Sequence, residues 1–140
     1  AEHVERLLAS GAAERIGHRD GTDEGGPGAI AFRVPRRDVV VPDAARGDVR
    51  VPAGAMEDFV LLRADGSATY NLATAVDDTL MGITHVIRGG DHLTNTAKQV
   101  LILEALGLRG PRYAHTTLLV GPTGAKLSKR DGAPSIAELA

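Results

Sequence analysis

Two lysines and a serine stand close together near the end of the chain, at Lys126, Ser128 and Lys129. Their segment, residues 121–132, begins and ends with glycine, so its cationic side chains are carried on backbone that can change conformation easily. Phosphoryl and adenylyl transfer need positive charge where charge develops on the leaving group, and mobile lysines can supply it. The segment is therefore a candidate polyphosphate-binding loop. The alternative is a solvated basic surface loop, because short motifs of this kind often match by accident.

Arg88 is a second candidate, because it follows the segment Ile83–Ile87, which is predicted to be a strand. At the carboxyl end of a parallel strand, a guanidinium can bind a carboxylate through two parallel hydrogen bonds. The alternative is a structural salt bridge. Tyr70, at the start of a predicted helix, can be an ordinary core aromatic.

The elements that must position these residues change character along the chain. Residues 10–28 are rich in glycine and charge and are predicted to form a loop, and short alternating apolar runs then predict a small β-rich region. Four-residue apolar spacing predicts a helix over 70–81, and Thr96 with Gln99 is typical of a capping box that opens a helix ending at Gly107. The predicted strands are at 30–34, 39–41, 49–51, 59–62, 83–87 and 116–120.

A strand, a helix and a strand within about forty residues predict a βαβ unit with parallel strands. Ligands of such units bind outside the carboxyl ends of the strands. The segments 88–92 and 121–132 both follow a predicted strand, so both are expected at that edge. The predicted fold class is α/β, with residues 1–57 forming a helix end, a loop and a β-rich insertion and residues 58–140 containing the βαβ unit.

The composition narrows the class of protein. The 140 residues include 16 basic and 18 acidic side chains, so no global positive field indicates nucleic acid, and any RNA contact must use a local patch. The absence of cysteine excludes disulfides and thiolate zinc sites, and no zinc site is predicted. No apolar stretch approaches the ~20 residues of a membrane helix, so we expect a cytoplasmic protein with no membrane partner.

Three segments resemble the glutamyl-tRNA synthetase family of class I aminoacyl-tRNA synthetases. Lys126-Leu127-Ser128-Lys129-Arg130 is similar to the KMSKS signature of that class in its glutamate form. Residues 58–73, which include Arg63-Ala64-Asp65-Gly66, and residues 76–96, which include Met81-Gly82-Ile83-Thr84-His85, are similar to the same family almost word for word. The resemblance covers residues 58–135 or so.

The resemblance implies that residues 58–140 are the second half of a Rossmann-type nucleotide-binding catalytic domain. This domain activates L-glutamate with ATP and Mg²⁺, then transfers the glutamyl group to tRNA(Glu). By similarity, Lys126 and Lys129 are catalytic and bind ATP together with Ser128. Tyr70 and Arg88 bind the glutamate. A monomer is expected.

The chain departs from the family pattern in two places. No HIGH-type motif precedes the quoted segments, so we expect a piece of a longer domain that is inactive alone. The family loop Gly-Glu-Asp is replaced by Gly89-Gly90-Asp91, which removes a carboxylate beside the expected substrate. Two other readings stay open: a paralog similar to glutamyl-queuosine tRNA(Asp) synthetase, and a non-catalytic tRNA-binding remnant.

Overall fold

A computed structural model describes residues 2–17, 28–118 and 120. Helix α1, Glu2–Ala9, leads into an antiparallel sheet of three strands, β1 at Ala13–Ile16, β2 at Ala29–Phe32 and β5 at Phe59–Leu62, in the order β1-β2-β5. Strand β1 lies within the segment that was predicted to be a loop, and that prediction is wrong for its four residues. Residues 18–27 of the same segment lie outside the described residues.

Strands β3, Val39–Val41, and β4, Val49–Val51, lie where the two valine-rich runs predict strands, and they pair as a separate antiparallel hairpin. An Asp-Gly pair predicts a tight turn, and after β5 Asp65 and Gly66 form one, in which Gly66 adopts a φ of 80° and its amide donates to the carbonyl of Arg63. The backbone then enters helix α2, Tyr70–Leu80, which matches the helix predicted from its four-residue apolar spacing.

Strand β6, His85–Gly89, helix α3, Leu93–Leu106, and strand β7, Arg112–Thr116, form the predicted βαβ unit, and β6 and β7 pair in parallel. Both strands are displaced from their predicted positions. Strand β6 begins two residues after the predicted start at residue 83. Strand β7 begins four residues before the predicted start at residue 116. In β7 only Tyr113 and His115 are buried, so its sequence carries a weak apolar signal.

One apolar core joins the antiparallel sheet to the helices. Helix α3 supplies its centre with Leu101, Ile102 and Leu106, none of which is more than 2% exposed. Phe32 and Phe59 stack with their ring centroids 5.2 Å apart. The predicted domain boundary lies between residues 57 and 58. Strand β2 lies before this boundary and its partner β5 lies after it, so the sheet includes residues from both predicted parts. The division at this point stays a prediction.

The amino end of α3 differs from its prediction. The helix begins at Leu93 with His92 as its cap residue, directly after a 3₁₀ turn at Gly90–His92. Thr96 and Gln99 are therefore inside the helix and fully buried, and the predicted capping box is wrong. The helix does end at Gly107, in the left-handed conformation with a φ of 64°, as predicted.

Within the described ranges, no helix is long and apolar enough to cross a membrane. The same residues include no group of three or more His, Cys, Asp or Glu side chains that could hold a metal ion.

Candidate functional site

Arg88 is the centre of a polar cluster at the carboxyl end of β6. Its Nη1 lies 3.3 Å from the hydroxyl oxygen of Tyr70, at the first residue of α2, and Nη2 donates to Oε1 of Gln99 at 2.7 Å and to Oγ1 of Thr96. The guanidinium carbon lies 5.6 Å from the ring centroid of Tyr113, within cation–π range. The side chain that β6 carries is thus contacted by two helices and by the neighbouring parallel strand β7.

The contacts of Arg88 in the described part of the chain are all neutral. Hydroxyl and amide oxygens accept its hydrogen bonds, and none of the ion pairs between described residues includes it. Its Nε is buried and has no acceptor among these residues. Among the described residues this partly buried cation meets no anion, so an added carboxylate would be attracted strongly.

A second layer of the cluster fixes Thr96. Its hydroxyl oxygen lies 2.8 Å from Nε2 of His115 and 3.2 Å from the carbonyl oxygen of His92, one turn earlier in α3. Nδ1 of His115, on the other side of the imidazole ring, contacts Oδ2 of Asp43. Both His115 and Asp43 are buried, at 1% and 6% exposure.

Asp43 ties the β-rich region to the parallel strands. It forms a parallel bridge with Tyr113, beside the edge of β7 that faces away from β6. Its carboxylate also accepts from the backbone amides of Ala45 and Arg46 at 2.9 Å each and from that of His115 at 3.0 Å. Burial raises the pKa of Asp43, but the hydrogen bonds from the His115 side chain and these amides outweigh burial and hold the pKa at about 2.

Arg46 closes the same edge of the cluster. Its Nε donates to the carbonyl oxygen of His115 at 2.9 Å and its Nη2 to that of Thr116 at 3.2 Å. A Cβ atom at Gly90 would lie 2.7 Å from Nη2 of Arg46. The position where the sequence lacks the family's usual glutamate is therefore filled by a guanidinium from the loop after β3.

The structure brings together two of the residues singled out in the sequence. Tyr70 and Arg88 meet through the hydroxyl–guanidinium contact, and Tyr70 is 51% exposed, so it is not a core aromatic. The predicted ATP-binding residues Lys126, Ser128 and Lys129 lie outside the described residues.

Sequence reasoning missed the other members of the cluster, which are Asp43, Arg46, Thr96, Gln99, Tyr113 and His115. Thr96 and Gln99 were read as helix-opening residues, although two polar side chains three positions apart share one face of a helix. Directly before the apolar run 100–103 of the same helix, that shared face was the signal of a buried polar partner. Asp43 and His115 are 72 positions apart, and their pairing leaves no local pattern in the sequence.

Comparisons with known proteins assign this arrangement to a family. The family profile described as "tRNA synthetases class I (E and Q), catalytic domain" matches residues 5–139. The chain belongs to this family. Its parallel strands and crossover helix are accordingly part of a Rossmann-type catalytic domain, as the resemblance of residues 58–135 predicts.

Individual members of the family agree over most of the chain. The glutamate–tRNA ligase of Aquifex aeolicus is 53% identical over 114 residues, which is 81% of this chain and 24% of that protein. Glutamate–tRNA ligase 1 of Pseudothermotoga lettingae is 44% identical over 137 residues, or 98% of this chain and 29% of its own length.

Solved structures support the same assignment. The glutamate–tRNA synthetase of Elizabethkingia anophelis superposes with a TM-score of 0.68 at 37% identity, over 94% of this chain and 24% of that one. The enzyme of Elizabethkingia meningosepticum, solved in complex with its amino acid, gives 0.69 at 38% identity, with the same coverage of both chains. This class I synthetase segment thus spans about a quarter of the length of these relatives.

Proposed function

We propose that this chain supplies part of the catalytic domain of a glutamate–tRNA ligase, which joins L-glutamate to tRNA(Glu) in two steps. ATP, accompanied by Mg²⁺, first activates the α-carboxylate of glutamate as the adenylate and releases pyrophosphate. The glutamyl group then passes to the terminal ribose of the tRNA. The magnesium ion belongs to the ATP phosphates in this proposal, which is how Mg²⁺ usually enters such reactions.

The observation that carries the proposal is the state of Arg88. It stands at the carboxyl end of a parallel strand, where ligands of βαβ units bind. Neutral groups hold it in place without neutralising its charge, and Tyr70 presents a hydroxyl beside it. A free carboxylate on the substrate would complete this site, and glutamate carries two whereas glutamine carries one.

The names of the relatives support the choice of amino acid. Both ligases compared above are described as glutamate–tRNA ligases, and the second solved enzyme was crystallised with its amino acid. The proposal includes ATP binding by Lys126, Ser128 and Lys129. It also includes a cytoplasmic location, the identity of the tRNA and the monomeric state.

The test is ATP–pyrophosphate exchange by the full-length natural protein that contains these residues, in the presence of tRNA and of glutamate, glutamine or aspartate. We expect exchange with glutamate alone. Arg88→Gln should reduce kcat/KM for glutamate by about 1,000-fold, the scale of losing one partner of a buried charge pair. Lys129→Ala should abolish exchange while glutamate still binds.

Arg112→Gln is the matched control, because it makes the same chemical change at the amino end of β7, on an exposed side chain. It should leave exchange unchanged. Exchange by the Arg88 variant at the wild-type rate would refute the glutamate site. If none of the three amino acids supports exchange, the result would instead support the non-catalytic tRNA-binding alternative.

A further inference from the structure

A continuous line of hydrogen bonds connects Asp43 to Arg88 through two intermediate side chains. It runs from the Asp43 carboxylate to Nδ1 of His115, from Nε2 of His115 to Oγ1 of Thr96, and from Thr96 to Nη2 of Arg88. The four residues come from the loop after β3, from β7, from α3 and from β6. The line is therefore a product of the tertiary structure, and its inner members are fully buried.

The chemistry of the end groups fixes the direction of the two outer bonds in the line. Arginine only donates, so the Thr96 oxygen must accept from Arg88. With a pKa of about 2 the Asp43 carboxyl is ionised at neutral pH and only accepts, so Nδ1 of His115 carries a proton. The inner bond joins Nε2 of His115 to the Thr96 hydroxyl oxygen at 2.8 Å, and in the tautomer with Nδ1 protonated Nε2 accepts the hydroxyl proton, for which the His92 carbonyl oxygen at 3.2 Å is the competing acceptor. Each residue thus orients the next one.

Thr96 is the contact of Arg88 that this line controls. The Tyr70 contact is long and exposed, and Gln99 holds the same nitrogen, Nη2, from a neighbouring turn of α3. An arginine side chain has high rotamer freedom, so a site built on one is effective only when surrounding groups hold its guanidinium in place. A Thr96 hydroxyl that rotated freely would accept the hydrogen bond from Arg88 for a smaller fraction of the time.

We infer that His115 is a positioning residue for Arg88, acting through Thr96, and that Asp43 keeps His115 in the tautomer this requires. The inference rests on the proposed function, in which the positioned guanidinium binds a carboxylate of the amino-acid substrate. His115 does not touch the substrate. Its effect is on the affinity for the amino acid and not on the rate of the chemical step.

The substitutions that separate the two sides of the imidazole ring are His115→Asn and His115→Gln. An asparagine amide can occupy the place of Nδ1 and keep the contact with Asp43, but it does not reach Thr96. A glutamine amide reaches the place of Nε2 and can accept from Thr96. The matched control is His85→Asn, on an exposed histidine at the start of β6.

In the full-length natural protein, His115→Asn should raise KM for glutamate about tenfold, which is the scale of one hydrogen bond to a charged group. KM for ATP and kcat should change less than about twofold, because uniform substrate binding is lost and the transition state is otherwise unaffected. His115→Gln should restore most of the glutamate affinity. A variant that lowers kcat and both affinities together would overturn the inference.

A double-mutant cycle tests the route through Thr96. Thr96→Val removes the hydroxyl at nearly constant volume, and the double variant with His115→Asn should bind glutamate no more weakly than the worse single variant. Additive losses would mean that His115 acts by another path. Thermal unfolding of each variant identifies any that fail to fold, and Thr96→Val replaces His115→Asn as the primary variant in that case.

A spectroscopic measurement makes the inference independent of the proposed function. In protein labelled with ¹⁵N-arginine and ¹⁵N-histidine, the Nη groups of Arg88 should rotate slowly in the wild type and in His85→Asn, and faster in His115→Asn and Thr96→Val. The His115 ring should show the tautomer with Nδ1 protonated. If the wild type gives no glutamate-dependent exchange, the proposed function fails, and this measurement alone decides the positioning role. Unchanged rotation in His115→Asn would overturn it.

Discussion

The two halves of helix α3 make different kinds of contact, polar in the amino half and apolar in the carboxyl half. Its amino half buries Thr96 and Gln99 against Arg88, and its carboxyl half buries Ile102 and Leu106 in the apolar core. Apolar contacts depend on area and volume and have little directional preference, whereas hydrogen bonds require a particular atom at a particular angle. We therefore expect substitutions in the carboxyl half to change stability, and substitutions around the amino half to change the site.

The same comparison explains why the core and the cluster lie side by side. The core fixes the axis of α3 against the antiparallel sheet, and Lys98 covers the Phe59 ring with its ammonium 5.1 Å from the ring centroid. Given that fixed axis, Thr96 and Gln99 are delivered to Arg88 by helix geometry alone. The precision of the polar half depends on the packing of the apolar half.

The largest expected effect is on the apolar half. Ile102→Ala deletes a fully buried side chain and leaves a cavity, so the free energy of unfolding should fall by about 2–5 kcal/mol. Urea denaturation measures the loss. Leu80→Ala, on an exposed side chain at the end of α2, should cost less than about 0.5 kcal/mol. A loss of similar size at both positions would contradict the distinction between a rigid core and its surface.

The next effect is a pH dependence that arises in the polar cluster. Because the folded pKa of Asp43 is lowered to about 2, its stabilising contribution is fully present above its ordinary pKa of 3.8 and is lost as the pH falls through 2. The contribution at neutral pH is about 2 kcal/mol. In Asp43→Asn, the stability at neutral pH should be lower, and its decrease between pH 4 and pH 2 should be correspondingly shallower.

The control for this pH dependence is Asp65→Asn. Hydrogen bonds from Ser67 lower the pKa of Asp65 as well, but that carboxylate is fully exposed, and solvent screens its interactions. Equilibrium unfolding across the acid range should therefore separate Asp43→Asn clearly from Asp65→Asn. Identical acid profiles for wild type and Asp43→Asn would show that the cluster does not couple this carboxylate to folding.

A smaller effect is expected at the exposed margin of the cluster. Tyr70→Phe removes only a hydroxyl 3.3 Å from Nη1 of Arg88, so KM for glutamate should rise roughly fivefold, or about 1 kcal/mol, with little change in stability. Steady-state exchange kinetics and thermal unfolding measure the two quantities. A large drop in stability would mean that Tyr70 belongs with the core and not with the site.

The smallest effect is expected at Gly90. An added Cβ would crowd Nη2 of Arg46 at 2.7 Å and the carbonyl oxygen of Thr116 at 3.2 Å. Because the guanidinium is the flexible end of an exposed side chain, Gly90→Ala should cost less than about 1 kcal/mol of unfolding free energy. In an Arg46→Ala background the cost should shrink further, and an unchanged cost in that background would place the crowding at the Thr116 backbone.

The sequence determined the elements with strong local signals and the family. Three features were predicted at the correct positions: helix α2 with its four-residue spacing, the glycine after α3 and the Asp65-Gly66 turn. Each is a local effect of side-chain periodicity or backbone conformation. Strand β7 was misplaced because its buried face consists of Tyr113 and His115, so the strand contains few apolar residues. Strand β1 was missed because its four residues, Ala13–Ile16, include two exposed charges.

The tertiary structure alone decided which polar groups meet. Tyr70 and Arg88 could be chosen as candidates from their types and positions, but the pairing of Asp43 with His115 and the capture of Thr96 and Gln99 by Arg88 join segments that no local pattern relates. Propensity and periodicity act between residues a few positions apart. Buried hydrogen bonds are formed after distant segments have packed, so their partners are set by the fold and not by the neighbouring sequence.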